Sequence, residues 1–273
     1  MKHTVGLILL AATFVGCTHS VPVSHAQTEK QTQPPKSNPV KVAHVIVALC
    51  DNVHQGIVKV PARIGNGEEL VDNLYWGASL GVKSYFRQST AWNLISTTKP
   101  TKGDILERAV FVHKATGAVL VADAYRGAAI KKATVDYFDF LSGRRAEPLR
   151  VGNREVSLGG GADLVAYVGH DGLMEWSIPA PTPAAHKHRP LAVALACKTQ
   201  QFFGADLKAT GATPYVMTQS LMAPEAYSLE AVLGSWIKGK DAHDAVEAAA
   251  NAYAKYQKIS VKAARTVFVA GTG

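Results

Sequence analysis

Short aliphatic runs, separated by stretches long enough to form helices, recur along this chain of 273 residues. The first run, residues 42–50, is almost entirely β-branched or aliphatic and ends at Asp51, a pattern typical of a strand covered on both faces. Parallel strands need long crossover connections, and helices commonly supply them. The pattern therefore predicts an α/β fold, a three-layer α/β/α sandwich around a mostly parallel sheet.

The spacing of apolar residues predicts the remaining elements. Hydrophobic residues make up 47% of the chain and charged residues 18%, which excludes wholesale disorder. Because there is no internal repeat and no second linker, residues 41–273 are predicted to form one domain. The predicted strands cover residues 42–50, 92–96, 105–112, 118–123, 163–168, 191–196 and 213–217. Of these, the strands 105–112 and 118–123 are predicted to form a hairpin. The predicted helices cover residues 68–86, 128–141, 199–208, 224–238 and 241–258.

The chain is basic, with 29 Lys and Arg against 21 Asp and Glu and a net charge of +8. The basic residues occur in short groups such as Lys131-Lys132 and Arg144-Arg145, and no run of them is interleaved with aromatic residues. A nucleic-acid groove needs such interleaving. We therefore expect a solvated basic surface and no nucleic-acid partner.

The N-terminus has the pattern of an export signal. Lys2 precedes an apolar stretch at residues 5–15, which is shorter than the roughly 20 residues that span a bilayer. The sequence Phe14-Val15-Gly16-Cys17 resembles the bacterial lipobox, in which cleavage precedes a cysteine that carries lipid such as palmitate. The resemblance implies a signal peptide at 1–16 and a lipoprotein anchored in the cell envelope through Cys17. An ordinary signal peptide, cut near Ser24-His25-Ala26, is the alternative.

Residues 17–40 are rich in Gln, Thr, Ser and Pro and have no hydrophobic period. A segment of this composition cannot bury enough apolar surface to fold. It is therefore predicted to be a flexible tether.

Two of the predicted strands end in residues suited to covalent catalysis. Residues 164–168 lead into Gly169-His170-Asp171-Gly172, and residues 191–195 lead into Ala196-Cys197. Chemistry in parallel sheets is concentrated at the carboxyl ends of strands, and a nearby imidazole can take the proton of a thiol. We therefore predict a dyad of Cys197 and His170. A helix that begins after Cys197 is expected to lower the pKa of the thiol through its dipole.

A hydrophobic block ending in His-Gly, followed by a second ending in Ala-Cys, resembles the caspase-like cysteine peptidases, which include caspases, legumains, gingipains and clostripain. The resemblance implies a caspase-like domain with His170 as the catalytic histidine and Cys197 as the nucleophile. It also implies an oxyanion hole made by the backbone N–H groups of Gly172 and Cys197. Here Asp171 directly follows the histidine, and we expect its carboxylate to repel both a thiolate and an oxyanion.

These features predict an envelope lipoprotein whose domain hydrolyses peptide bonds in a peptide or protein substrate. The alternative is a non-catalytic domain of the same fold that binds an envelope partner or a peptide. A cysteine at a strand end is often only a small buried hydrophobe, and a histidine between glycines is often only a turn residue. Cys50 also ends a predicted strand, so a disulfide with Cys197 is a further possibility.

Other polar residues follow predicted strands and are weaker candidates. Asp51 and His54 follow the first strand and either line a substrate pocket or cap a helix. Gln219 and Glu225 follow the strand at 213–217, the region that shapes the specificity pocket in the caspase-like peptidases. No metal and no organic cofactor are predicted, because the cysteines lack zinc-ribbon spacing and Gly159-Gly160-Gly161 lacks the features of a phosphate loop.

Overall fold

In the computed structural model of the protein, which describes residues 40–101, 103–184 and 188–271, eight strands form one sheet. Their order is β10-β9-β8-β7-β1-β4-β3-β2, and β4, β1, β7, β8 and β9 run parallel to one another. The strands β2, β3 and β10 pair antiparallel with their neighbours. The ten strands are β1 Val42–Ala48, β2 Trp92–Thr98, β3 Ile105–His113, β4 Val119–Tyr125, β5 Glu147–Val151, β6 Arg154–Leu158, β7 Leu164–Val168, β8 Leu191–Leu195, β9 Thr213–Thr218 and β10 Phe268–Ala270.

Helices cover both faces of this sheet. The seven α-helices of the described ranges are α1 Val82–Gln88, α2 Ile130–Leu141, α3 Thr199–Phe202, α4 Gly204–Thr210, α5 Ala226–Ile237, α6 Ala242–Gln257 and α7 Val261–Arg265. No helix within the described ranges is long and apolar enough to cross a membrane.

The central strand β1 shows why two helical layers form. All seven of its residues are buried, and its six apolar side chains are divided between two hydrophobic cores on opposite faces. Val45 and Val47 belong to the core under α1, α5 and α6, whereas Ile46 and Ala48 belong to the core under α2 and α4. A strand that is apolar on both faces must be covered on both, so the prediction of a three-layer α/β/α sandwich is confirmed.

The predicted helix at 68–86 is wrong. Turns occupy most of this segment, and only α1 forms, starting at Val82. The Asn73 side chain binds backbone groups instead, donating to the carbonyls of Cys50 and Asn66 and accepting from the N–H of Tyr75. Such side-chain bonds compete with helical ones. At Gly77 a Cβ would lie 2.1 Å from the carbonyl oxygen of Leu70, so the turn also needs a residue without a side chain.

Sequence patterns missed the hairpin β5–β6, the helix α7 and the strand β10. The hairpin turns at Gly152, whose φ of +61° is readily available only to glycine. The Gly152-Asn153 pair between two alternating segments is a turn signal that could have identified it. The strand β10 has only three residues, too few to show an alternation of apolar and polar side chains. It is a strand because it pairs with β9.

Candidate active site

The strands β7 and β8 are neighbours in the sheet, and they pair in register up to their carboxyl ends. Val168 pairs with Leu195, and the N–H of Gly169 still donates to the carbonyl of Leu195 at 3.4 Å. His170 and Cys197 each lie two residues beyond this last pair, in the turns that leave the two neighbouring strands. The expectation that the two strands are neighbours is confirmed.

Gly169 directs the chain out of β7 toward His170. Its φ is +154°, and a Cβ there would lie 2.9 Å from the carbonyl oxygen of Ala48 on the adjacent β1. A residue without a side chain is required because the backbone passes this close to its neighbour. The Tyr167 hydroxyl then donates to the carbonyl of His170 at 2.8 Å, which holds the backbone of the turn in place.

The His170 imidazole is almost buried and is held by Glu175. A single 3₁₀ turn, Gly172–Met174, brings Glu175 back so that its Oε1 lies 2.5 Å from His170 Nε2. An ionised carboxylate only accepts hydrogen bonds, so Nε2 carries the hydrogen and Nδ1 keeps a lone pair when the ring is neutral. The contact therefore orients the ring with its basic nitrogen available for a proton.

Asp171 is fully buried, and only one of its two carboxyl oxygens has a hydrogen-bond partner among the described residues. Its Oδ1 caps the 3₁₀ turn by accepting the N–H of Leu173 at 2.9 Å, but Oδ2 has no partner among the described residues. Burial raises the pKa of Asp171 to about 7, with Glu175 adding to the rise and the backbone N–H groups of Leu173 and Met174 opposing it. This carboxyl therefore changes charge near neutral pH.

The Cys197 thiol is half-buried and contacts the backbone of Met222. Its Sγ accepts the N–H of Met222 at 3.4 Å and lies 3.7 Å from the carbonyl oxygen of the same residue. Burial, followed by the charge of Asp171, raises the pKa of Cys197 even though the Met222 N–H lowers it. The charge of Asp171 thus opposes a thiolate at Cys197, as expected, whereas its effect on an oxyanion stays a prediction.

The predicted lowering of the Cys197 pKa by a helix is wrong. The helix α3 that follows has four residues, and its N-cap Lys198 has a φ of +51°. So short a helix has little dipole, and desolvation of the thiolate outweighs it. The resting side chain is therefore a neutral thiol.

The two dyad side chains are held by different partners. Imidazole Nε2 binds Glu175 and the thiol binds the Met222 backbone, and no hydrogen bond between His170 and Cys197 is present in the described part of the chain. The ring nitrogen that Glu175 leaves unoccupied is Nδ1.

The backbone N–H groups predicted to form an oxyanion hole stand at these same turns. Gly172 begins the 3₁₀ turn after His170, and Cys197 precedes α3. Neither N–H donates to a backbone acceptor in the described ranges. A Cβ on Gly172 would lie 2.0 Å from the Trp176 ring, so a glycine is needed at this position.

The four predicted pocket residues differ in exposure. Asp51 is buried and organises its own loop, accepting the N–H groups of Val53 and His54 and pairing with His54 Nδ1 at 2.9 Å. The His54 side chain is 54% exposed, and Gln219 is exposed as well.

Glu225 is the N-cap residue just before α5, and its carboxylate accepts a hydrogen bond from the Gln257 side chain at 3.0 Å. Asp51 and Glu225 thus have structural partners, whereas His54 and Gln219 present their side chains to solvent. A role for any of the four in a pocket stays a prediction.

Cys50 is buried beside Tyr75, and its thiol stays protonated at neutral pH. Burial raises its pKa to about 11, although a hydrogen bond from Tyr75 opposes the rise. Within the described residues, both Cys50 and Cys197 are free thiols. No group of three or more His, Cys, Asp or Glu in those ranges is arranged to hold a metal ion.

Sequence patterns missed Glu175 and Met222 as neighbours of the dyad. Glu175 lies five residues after His170. Gly172, which lies between them, was the one sequence signal that the chain could turn back toward His170. Met222 lies 25 residues from Cys197, and nothing local marks that contact.

Comparisons with models of protein families, with curated proteins and with solved structures find no match to this chain.

Proposed function

We propose that the folded part of this chain is a cysteine peptidase of the caspase-like class, with Cys197 as the nucleophile and His170 as the general acid and base. The observation that carries the proposal is that His170 and Cys197 each follow, by two residues, the carboxyl end of one of two neighbouring parallel strands, β7 and β8. Glu175 supports it, because a carboxylate behind an imidazole stabilises the imidazolium that forms when the ring takes a proton.

The mechanism begins from a neutral thiol. Cys197 Sγ attacks the substrate carbonyl carbon as its proton passes to Nδ1 of His170. The N–H groups of Gly172 and Cys197 stabilise the negative charge on the carbonyl oxygen. The imidazolium then protonates the leaving amine, and water attacks the thioester to release the acid and restore the thiol.

Asp171 shapes this reaction by its charge. In its ionised form it opposes the thiolate, and in its protonated form it does not. A bound substrate that excludes water favours the neutral carboxyl further.

The test is labelling of the full-length protein with a peptide-based electrophile. We expect one labelled site, lost in Cys197→Ala and unchanged in Cys50→Ala, which serves as the matched control thiol. His170→Ala and Glu175→Gln should slow labelling by about 10- to 100-fold, because each removes part of the general base. Labelling that survives Cys197→Ala, or that never occurs between pH 5 and 9, would end the peptidase proposal.

A non-catalytic binding domain is the second candidate, and the raised thiol pKa favours it. If it is correct, Cys197→Ala binds a peptide or envelope partner as tightly as the parent chain, and no peptide in a library is cleaved by either. Cleavage that depends on Cys197 decides for the peptidase.

We also propose that the protein is exported and anchored in the cell envelope through lipid on Cys17, which lies outside the described residues. The support is the lipobox-like sequence and the short apolar stretch before it. Cys17→Ser should move the protein from the membrane to the soluble fraction and abolish incorporation of labelled palmitate. Cys50→Ser is the control, and unchanged membrane association of Cys17→Ser would refute the anchor.

A further inference from the structure

A second polar site lies on the α2 face of the sheet, away from Cys197. A cavity of about 570 Å³ opens between β3, β4, α2 and the segment leading into β5. Its charged lining residues include Arg108, Asp123, Lys132, Asp136, Arg145 and Glu147. The strand β4 is three strands from β8 in the sheet, so this cavity is distinct from the site at His170 and Cys197.

The floor of the cavity is a buried charge pair between the neighbouring strands β3 and β4. Arg108 Nε and Nη2 donate to the two oxygens of Asp123 at 2.6 and 2.8 Å. His44 binds the same carboxylate, because its Nδ1 accepts the N–H of Gly159 and its Nε2 therefore carries the hydrogen donated to Asp123 at 2.9 Å. Replacing a buried ion pair with aliphatic residues is often neutral or stabilising, so stability alone does not explain a charge pair at this position.

Glu147 is a partner of Arg108 that is partly exposed to solvent. Arg108 Nη1 donates to Glu147 at 2.8 Å, and the side chain of Arg108 is 8% exposed whereas that of Glu147 is 45% exposed. Glu147 is the first residue of β5, at the edge of the small hairpin. These three bonds engage three of the five N–H donors of the guanidinium.

The walls add positive charge and apolar surface. Lys132 and Arg145 both bind Oδ1 of Asp136, and each is almost half exposed. Arg145 Nε also lies 3.5 Å from Asp139 Oδ2. The lining carries three cations, those of Arg108, Lys132 and Arg145, and four carboxylates, those of Asp104, Asp123, Asp136 and Glu147, so displacement of Glu147 would leave it without net charge. Apolar lining comes from Ile105, Tyr125 and Phe140.

We propose that this cavity binds a small organic carboxylate with an apolar body, whose carboxylate takes the place of Glu147 on Arg108. The apolar body would lie against Ile105 and Phe140. Asp104 also lines the cavity, but its side chain is exposed to solvent. The proposal does not depend on the peptidase activity.

The test is isothermal titration calorimetry on the full-length protein. Sodium benzoate is the probe, benzyl alcohol is its uncharged analogue, and inorganic phosphate is an anion without an apolar body. We expect benzoate to bind, and Glu147→Gln to bind it about two- to fivefold more tightly because the competing carboxylate is gone. Arg145→Gln should weaken binding by a similar factor.

Glu155→Gln is the matched control, since Glu155 is exposed on β6 of the same hairpin. It should leave benzoate binding unchanged. Circular dichroism establishes that each variant is folded. Equal binding of benzyl alcohol or of phosphate would overturn the proposal, as would benzoate binding that neither Glu147→Gln nor Arg145→Gln changes, or no benzoate binding to folded Glu147→Gln.

Discussion

Asp171 links the charge state of one buried carboxyl to the reactivity of the thiol at Cys197. The carboxyl is fully buried, its Oδ2 lacks a partner among the described residues, and its charge raises the Cys197 pKa. Replacing it with asparagine keeps an oxygen that can accept the N–H of Leu173 and removes the charge. The effects of Asp171→Asn therefore report the loss of the negative charge more than a disruption of the 3₁₀ turn.

Asp171→Asn should make Cys197 more reactive above pH 7. Without the carboxylate the thiol pKa falls, so more thiolate is present at a given pH. The measurement is the rate of alkylation by iodoacetamide against pH, with the product located by mass spectrometry. Asp72→Asn, which removes an exposed carboxylate paired with Arg63, is the control and should leave the profile unchanged.

The same carboxyl should make stability depend on pH. A pKa raised to about 7 from 3.8 means that the native state binds the Asp171 proton more tightly than the unfolded state. The stabilisation from this group is therefore complete below about pH 4 and is lost as the pH rises to about 7.

The loss amounts to on the order of 4 kcal/mol in the free energy of unfolding. Urea unfolding of the parent chain and of Asp171→Asn at pH 4 to 8 measures it. The parent should lose stability relative to the variant across this range, and parallel curves would contradict the raised pKa.

Single residues of the candidate site were only partly predictable. His170 and Cys197 can be identified because each follows an aliphatic run, and burial of a strand is a local property of sequence. Glu175 and Met222 cannot, because their contacts depend on how a 3₁₀ turn and a distant loop fold back. The direction of the Cys197 pKa was mispredicted for the same reason, since desolvation is set by surrounding residues.

The 3₁₀ turn after β7 depends on a close approach between two of its residues. Gly172→Ala would place a methyl group 2.0 Å from the Trp176 ring, so the turn or the ring must move. We expect a loss of about 1–3 kcal/mol in the free energy of unfolding.

Gly204→Ala is the matched control. Gly204 starts α4, and a Cβ there has no atom within 4 Å, so this change should be neutral or stabilise by about 0.4–1 kcal/mol. Chemical denaturation measures both variants. Equal stabilities for Gly172→Ala and the parent chain would show that the turn is not constrained by Trp176.

The pairing of β3 with β4 includes the Arg108–Asp123 charge pair. Burial alone raises the pKa of Asp123, but the hydrogen bonds from Arg108 and His44 outweigh it and leave the pKa lowered. Asp123→Ala leaves Arg108 buried without its main partner and should cost about 3–5 kcal/mol.

The double variant Asp123→Ala/Arg108→Met should cost less than the sum of the two single variants, because no unpaired charge remains. Urea unfolding of the four proteins gives the coupling energy. Strict additivity would indicate that the pair does not interact strongly.

Most predicted strands and helices agree with the structure, short strands included, but the longest predicted helix, at 68–86, does not. The strands of the sheet core and the helices α2, α5 and α6 lie within a few residues of the predicted ranges. The segment 68–86 has helical spacing but forms turns, because the Asn73 side chain and two glycines favour a different backbone path.

The two hydrophobic cores lie on opposite faces of one sheet and share its strands. Leu229 of α5 is buried in one core, and Phe203, beside α4, is buried in the other. Because every central strand contributes to both cores, loss of either should destabilise the whole sheet.

Leu229→Ala and Phe203→Ala should therefore each shift a single unfolding transition by about 2–5 kcal/mol. Tryptophan fluorescence reports mainly the first core, which holds Trp76, Trp92 and Trp236, and far-ultraviolet circular dichroism reports both. The two signals should change together in both variants. Separate transitions in Phe203→Ala would show that the faces unfold independently.

Local patterns in this sequence are enough to establish the layered α/β architecture, because a strand that is apolar on both faces has to be covered on both. They also identify a cysteine and a histidine that each end such a strand. Strand order, the partners of Cys197 and the Arg108–Asp123–His44 pairing become known only from the folded chain. These contacts join residues 15 to 79 positions apart, and no local periodicity encodes which distant groups will meet.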